Sequence, residues 1–429
     1  MIERPDDGWS GPLHEALGND PEVVVLDQQE RHAVAAVRGQ LLVGAGELQR
    51  SPRLASELRE LAEQVAEAHP DGDGTDGDDP VGLWRLRTDQ DLAEVLGRLH
   101  GLSDRETRAH VAPNHVLVPC PSPHWCPASA PEPTNEQLEI PPFACDDPVS
   151  VVVIDAGYVE LPLLTQRGGI EVVHARSWRS VVGASASTAP SMAAGGSGPL
   201  PAIAGHASFI VGQVAARCPN AHILVVNHED PWVDEWSVAT SLTRYAGAGA
   251  ERGAADVISC GYAVVTAGAR PSFPFATALL RLAPETAVIA PAGNQDSAAP
   301  HWPAASKRVV GVGAFDERAG NTRAQFSNHG PWVDCSAGGC NVVSTFVPGD
   351  WVTQDGDGTQ QSFGPFATWS GTSFSTPRVT AAVAARLSTL RASGAGASGR
   401  LVAAELAAGL VPGTVLDTDP DVGTKLMLP

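Results

Sequence analysis

The sequence predicts an α/β protein, a parallel sheet covered by helices, preceded by a smaller α+β unit. Three observations predict it. Short apolar runs recur at 149–154, 222–226, 256–259, 287–290 and 309–312, as expected of strands buried on both faces. Helical patterns lie between several of these runs, and that alternation argues for a parallel sheet between helix layers. Upstream, a separate set of strands and helices ends near residue 118 and is followed by a stretch crowded with prolines.

Residues 1–22 read as a loose tail. Val23-Val24-Val25-Leu26 and 33–43 read as strands. Ser51-Pro52 offers an N-cap followed by proline at the first helical position. Leu54, Leu58, Leu61 and Val65 form one apolar stripe, which predicts a helix over 52–68. A short strand is expected at 81–87, a helix capped by Asp89 with Leu92, Leu96 and Leu99 inward, and a strand at 110–118. Together these make a compact α+β unit over 23–118. Pro119, Pro121, Pro123, Pro127, Pro131 and Pro133 mark 119–147 as an extended, exposed linker. The sheet region then occupies 148–429. Its stretch 183–204, rich in Gly, Ala, Ser and Pro, reads as a loop.

The chain has 429 residues, 43% of them hydrophobic, enough for one large core and a smaller domain. Its net charge of −21 argues against nucleic acid and anionic membrane surfaces as partners, since both would repel it. No run approaches membrane-spanning length. The first residues show no basic segment followed by an apolar one, and seven cysteines are too sparse for a dense disulfide framework. The expectation is therefore a reducing, cytoplasmic setting, with secretion left open. No cofactor is expected. The acidic run Asp71-Gly72-Asp73-Gly74-Thr75-Asp76-Gly77-Asp78-Asp79-Pro80 fails the EF-hand pattern, with Asp76 in place of the turn glycine and Gly82 in place of the bidentate glutamate. It reads as a solvated loop. Asp355-Gly356-Asp357-Gly358 offers too few oxygen ligands for a closed calcium site, and Cys120, His124, Cys126 and Cys145 match no common zinc spacing.

The chemistry centres on Trp369-Ser370-Gly371-Thr372-Ser373-Phe374-Ser375-Thr376-Pro377. Val379, Val383, Leu387 and Leu390 recur at helical spacing behind it, so Ser373 stands at a helix N-terminus, with Pro377 in the first turns. Free N–H groups there favour negative charge, such as an attacked carbonyl develops. A plain N-cap serine has the same signature. Asp155 ends the first buried strand, where open α/β sheets place their sites. His206 opens a helical stretch, and Asn294 follows another buried strand. Singly, each has an ordinary reading as a turn or partnered polar residue. In chain order, Asp, His and Ser match one of the known serine-nucleophile triads.

These residues carry a resemblance. Residues 148–392 resemble the catalytic domain of the subtilisin-like (subtilase) serine peptidases, a three-layer αβα fold. Gly371-Thr372-Ser373-Phe374-Ser375-Thr376-Pro377 resembles the family's serine motif, and Val153-Ile154-Asp155-Ala156-Gly157 its aspartate motif. Pro291-Ala292-Gly293-Asn294 resembles its oxyanion strand, and Phe326-Ser327-Asn328-His329-Gly330 a further stretch before the serine. The resemblance implies a serine endopeptidase acting on protein or peptide substrates, with Asp155, His206 and Ser373 as triad and Asn294 as oxyanion donor. It places Ser259, Cys260, Gly261, Ala292, Gly293 and Thr372 along the substrate. His301, just before the aromatic-proline pair Trp302-Pro303, falls at the base of the pocket for the P1 side chain, where it would disfavour large apolar residues.

Two departures stand out. The family's His-Gly-Thr is His206-Ala207-Ser208 here, and Ala156 replaces a hydroxyl residue, removing one hydrogen bond to the aspartate. Residues 23–118, closing on Val111-Ala112-Pro113-Asn114-His115-Val116-Leu117, resemble the family's ferredoxin-like propeptide, an inhibitor and folding aid whose end is cut by the enzyme. The alternative function is a catalytically silent binding protein on the same fold.

Overall fold

A computed structural model describes residues 21–26, 34–68, 81–87, 90–102, 110–117, 128–138, 142–175, 196–200, 203–229, 232–266, 270–353 and 359–428. The N-terminal elements are β1 (Val23–Leu26), β2 (Val34–Gly44), α1 (Ala45–Arg50), α2 (Pro52–Leu61), β3 (Ala62–Ala68), β4 (Val81–Leu86), α3 (Leu92–Leu102) and β5 (Val111–Leu117). Their antiparallel sheet runs β5-β2-β4-β3, with β1 beside β2. Leu54 and Leu58 of α2 and Leu92, Leu96 and Leu99 of α3 bury against Ala36, Leu41 and Val43 on one face of it.

Two expectations here are corrected. The helix expected over 52–68 ends at Leu61, because 62–68 pairs with β4 (Ala62↔Leu86) as a strand. The stripe Leu58-Leu61-Val65 had kept helical spacing across that boundary. The short helix α1 was not anticipated. The cap of α3 is Asp91, whose Oδ1 accepts from Ala93 N at 2.8 Å and Glu94 N at 3.1 Å, while Asp89 lies outside the described residues.

The C-terminal elements are β6 (Glu132–Pro133), β7 (Val149–Ala156), α4 (Pro162–Thr165), β8 (Ile170–His174), β9 (Gly196–Pro199), α5 (His206–Arg217), β10 (Ala221–His228) and β11 (Val233–Asp234). Then come α6 (Glu235–Ala246), β12 (Val257–Cys260), α7 (Phe273–Leu280), β13 (Ala287–Pro291), β14 (Val310–Asp316), β15 (Thr322–Arg323), β16 (Cys335–Gly338), β17 (Val342–Thr345), β18 (Gly349–Val352), β19 (Gln360–Phe363) and β20 (Phe366–Trp369). The chain ends with α8 (Thr372–Ala392), α9 (Gly399–Ala407), β21 (Val415–Asp419) and β22 (Gly423–Leu426). Among the described residues the central sheet has ten strands, ordered β21-β22-β16-β14-β13-β12-β7-β10-β8 with β15 on β14. From β22 to β8 every pairing on that path is parallel.

Strand β7 shows why the apolar runs are unbroken. Val151 and Val153 join one cluster with Phe209 of α5 and Val379 and Val383 of α8. Val152 and Ile154 join the other, with Val238 and Leu242 of α6 and Phe275 of α7. Successive side chains point to opposite faces, so a sheet between two helix layers needs apolar residues at every position.

Two loop expectations also change. Within 183–204, residues 196–199 form β9, parallel to β18 (Gly196↔Gly349). Within the linker 119–147, Glu132–Pro133 pairs with β20, Ala128 N donates to Ser370 O at 2.8 Å and Asp147 N donates to Ser388 Oγ at 2.8 Å. That part is extended but docked. The acidic runs 71–80 and 355–358, and Cys120, His124 and Cys126, lie outside the described residues. Among the described residues no helix is long and apolar enough to cross a membrane, and no group of three His, Cys, Asp or Glu is placed to hold a metal.

The two sheets meet through α6 and α7. Val233 and Asp234 of β11 extend the N-terminal sheet by pairing with Leu117 and Val116. Trp232, Trp236 and Phe273 bury against Val37, Leu42, Leu83 and Val116 on that sheet's second face. Burying each such side chain contributes about 1.5–3 kcal/mol. Asn114 is fully buried in this contact: its Nδ2 donates to Gln40 Oε1 at 2.8 Å and Asp234 Oδ1 at 2.9 Å, and its Oδ1 accepts from Trp236 N at 3.2 Å. Beside it, His115 Nδ1 lies 2.7 Å from Glu235 Oε2, whose other oxygen accepts from Ser272 Oγ.

Candidate active site

The site forms at the carboxyl ends of the parallel strands. Asp155 is the penultimate residue of β7, and His206 is the first residue of α5; both are fully buried. His206 Nδ1 lies 2.7 Å from Asp155 Oδ1, which also accepts from Ala156 N at 2.6 Å. Two glycines make this approach feasible. Gly157 has φ +72°, and a Cβ there would lie 1.8 Å from Ile203 O. Gly205, the N-cap of α5, has φ +76° and donates its N–H to Gly157 O at 2.9 Å. Left-handed backbone suits glycine, since it carries no Cβ to clash.

The imidazole is walled by Trp369 (ring centroids 5.8 Å apart, 87° between planes) and Phe374 (5.5 Å, 51°), with Phe209 packed behind both. Its Nε2 is buried and makes no hydrogen bond. Ser208 ties α5 to the loop after Asp155, its Oγ donating to Val159 O and accepting from Val159 N, both at 2.8 Å. A hydroxyl is thus kept at that point of the His206-Ala207-Ser208 departure. Asp155 Oδ2 is buried without a hydrogen-bond partner.

Ser373 is the second residue of α8 and is 1% exposed. On one side, Phe374 touches the His206 ring; on the other, Thr372 holds Asn294. Pro377 is the sixth residue of α8, in its first turns as expected, and it supplies no N–H to the carbonyl of Ser373. Asn294 follows β13. Its Oδ1 accepts from both Thr372 N and Thr372 Oγ1 at 2.8 Å, and its buried Nδ2 has no partner. The amide is therefore oriented with its donors unspent.

The other sequence-predicted residues gather here too, with some surprises. A Cβ on Gly261 would stand 1.8 Å from Asp155 Oδ2, so this glycine makes room for the carboxylate. The Cys260 thiol lies in the apolar cluster with Ile154, and burial pushes it up to about 12. Ser259 is buried within β12. Gly293 has φ +98°, its N–H donates to Thr372 Oγ1 at 3.1 Å, and a Cβ on it would lie 3.1 Å from His301 Cδ2. His301 is 2% exposed, stacked 6.0 Å from Trp332, with Nδ1 2.9 Å from Ala299 O.

Sequence reasoning missed the supports of this loop. Asn328, fully buried, donates from Nδ2 to Ala292 O at 2.8 Å and Gln295 Oε1 at 2.9 Å, and accepts at Oδ1 from Gln295 N and Ser297 N. Gln295 Oε1 in turn accepts from Asn294 N at 2.9 Å. Asn328 stands within the quoted 326–330 stretch, so its place was marked although its role was not.

Comparison with known proteins identifies the family. The model of the subtilase family, peptidase S8, matches residues 150–404. A thermophilic serine proteinase of Bacillus sp. (strain AK1) is 39% identical over 69 residues, 16% of this chain and 17% of that protein. Subtilisin BL of Lederbergia lenta is 35% identical over 97 residues, 23% of this chain and 30% of that protein. The matched stretches thus span less than a third of either relative. In fold, the chain is similar to crystalline fervidolysin from Fervidobacterium pennivorans, with a TM-score of 0.53 and 18% identity over 91% of this chain and 60% of that one. With its parallel sheet, its motifs in order and the family match over more than half its length, the chain belongs to the subtilase family.

Proposed function

We propose that the chain is a serine endopeptidase that cuts protein or peptide substrates through an acyl-enzyme. Ser373 Oγ attacks the scissile carbonyl while His206 Nε2 takes its proton and later returns it to the leaving amine. Asp155 holds the imidazole tautomer through Nδ1 and stabilises the imidazolium. Asn294 Nδ2 and the Ser373 N–H at the start of α8 receive the oxyanion. The observation that carries this reading is Asn294 itself. A buried amide nitrogen without a partner costs stability unless a ligand uses it, and Thr372 fixes this one beside the serine.

In the same reading the N-terminal unit is an inhibitor and folding aid, cut away within 119–147. Its apolar seat on α6 and α7 supports this, as does the linker's pairing at Ser370, three residues before Ser373. A fluorophosphonate probe tests the enzyme: labelling that vanishes in Ser373→Ala is expected, and an unlabelled, fully processed chain overturns it. Mass spectrometry of wild type beside Ser373→Ala tests self-processing. A shorter chain in wild type alone is expected, and two equally intact chains after long incubation refute it.

A further inference from the structure

At the other end of the central sheet from the candidate active site lies a cavity of about 330 Å³. Small-molecule sites run from about 300 to 1,000 Å³. The cavity sits at the amino ends of β13 and β14, whereas Asn294 follows the carboxyl end of β13. Val288 and Val310 line it from those strands. Helix α9 packs beside it, with Val402, Ala403 and Leu406 buried in the same cluster as Ala287. Toward the cavity α9 turns Ala403, Ala404, Ala407 and its C-cap Ala408, whose methyl groups leave the space unfilled. Ala404 and Ala408 are exposed, so the space is open to solvent.

Three cations stand around this space, Lys307, Arg308 and Arg400, in a chain whose net charge is −21. Among the described residues none of the three forms an ion pair. Arg308 is held in place, since its Nη2 donates to Leu282 O and Ala283 O. Burial and the charge of Arg400 hold its guanidinium below the ordinary arginine value, with Glu285 opposing them. Arg400 stands in the first turn of α9, which contains no acidic residue. A cation there adds to the positive end of the helix instead of offsetting it. An anion placed among the three relieves both conflicts. One carboxylate also lines the cavity: Asp334, whose Oδ2 accepts from Gly311 N at 2.8 Å.

We propose that this cavity binds a small carboxylate with an apolar body, its charge among Lys307, Arg308 and Arg400 and its body against the alanines of α9. Arginine forks match the two oxygens of a carboxylate. The valines and alanines offer no side-chain donors for the further oxygens of a phosphate, and they gain only from an apolar body, through the water it displaces. Asp334 also favours a single negative charge, because it repels a doubly charged phosphate about twice as strongly. The site is separate from the proposed peptidase chemistry and does not depend on it.

Calorimetric titration of the full-length Ser373→Ala chain with octanoate, octanamide and inorganic phosphate tests this. Octanoate should bind saturably at one site, and octanamide and phosphate each about tenfold more weakly or not at all. Arg400→Gln and Arg308→Gln should each weaken octanoate binding by about tenfold or more, the loss of a charge-assisted hydrogen bond. Arg308 also holds two backbone carbonyls, so the exposed Arg400 is the variant that decides if Arg308→Gln does not fold. Ala407→Leu should fill the space and abolish binding. Asp334→Asn keeps an acceptor for Gly311 N and should tighten binding. Octanamide bound as tightly as octanoate would make the cavity a plain apolar groove and overturn the proposal. Phosphate bound as tightly would remove the role of the apolar body and overturn it too. So would the absence of saturable octanoate binding, or binding undiminished in Arg400→Gln.

Discussion

Thr372 is bonded twice to Asn294, through its backbone N–H and its hydroxyl, each 2.8 Å from Oδ1. In the proposed mechanism, the residue beside Ser373 thereby aims the amide that would receive the oxyanion. Asn294→Ala is expected to lower kcat by about 10²–10³, the loss measured for an oxyanion-hole asparagine in subtilisin, with KM little changed. Thr372→Val keeps the backbone donor and removes the hydroxyl, so kcat should fall by about tenfold, one lost hydrogen bond's worth. Steady-state kinetics on a peptide substrate measures both. An undiminished kcat in Thr372→Val would mean that the hydroxyl does not orient Asn294.

Gly261 and Asp155 make the second test. An alanine Cβ at 261 would lie 1.8 Å from Asp155 Oδ2, a separation no two such atoms tolerate, so the carboxylate must move off His206. Gly261→Ala should lose about 10²–10⁴ in kcat, approaching what deleting the triad aspartate costs. A thermal melt that stays cooperative separates this loss from unfolding. Full activity would show that Asp155 can shift without harm.

The contact between the sheets depends on Asn114. Asn114→Ala leaves Gln40, Asp234 and the N–H of Trp236 short of a partner in a buried interface. Each buried group left unsatisfied costs about 1–3 kcal/mol. In the Ser373→Ala background, the N-terminal unit should lose hydrogen-exchange protection while the central sheet keeps its own. Equal protection in both chains would mean that the apolar contacts of Trp236 and Phe273 alone hold the unit.

What was legible in the sequence follows from how each feature is encoded. Strands β7, β10, β12, β13 and β14 announced themselves because both of their faces are buried. Asp155, His206, Asn294 and Ser373 stood in motifs whose chain order is a mark of the family's fold rather than of the chemistry. Strand β3 was hidden because Leu58, Leu61 and Val65 kept a helical spacing across the end of α2, and only pairing with β4 overrides it. β6 and β9 are too short to carry a pattern of their own; their partners β20 and β18 define them. The reason for Gly261 could not be read either, since a glycine in a sequence does not say which side chain fills its missing Cβ.

His301 is buried against the glycine that precedes Asn294, with its ring stacked on Trp332. If it also floors the P1 pocket, large apolar P1 residues should be poor substrates. His301→Gly should then raise kcat/KM for them by about tenfold or more, since overfilling a packed pocket costs about 1–3 kcal/mol. A peptide library varied at P1, run on both enzymes, measures this. Identical rankings would remove His301 from the pocket.

His228 ends β10 opposite Ala156, one pair beyond Asn227 and Asp155. Its Nε2 lies 3.2 Å from Ser241 Oγ, its ring meets Tyr262 edge-on at 5.7 Å, and burial holds its pKa down to about 3 from an ordinary 6.5. A depressed folded value means that protons bind the unfolded chain first. The stability His228 contributes is complete above pH 6.5 and is lost as pH falls toward 3. At pH 5 that loss is about 2 kcal/mol, from roughly one and a half units at about 1.4 kcal/mol each. Asp234 works the other way, since burial raises it to about 6 and its share of stability is lost as pH rises through that value. Comparing two chains that both carry Asp234 cancels its effect. Urea unfolding of Ser373→Ala with and without His228→Gln, at pH 7.5 and pH 5, isolates the histidine. The glutamine chain should lose about 2 kcal/mol less between the two pH values, even if it starts less stable. Parallel losses in the two chains would show that His228 does not resist protonation in the folded protein.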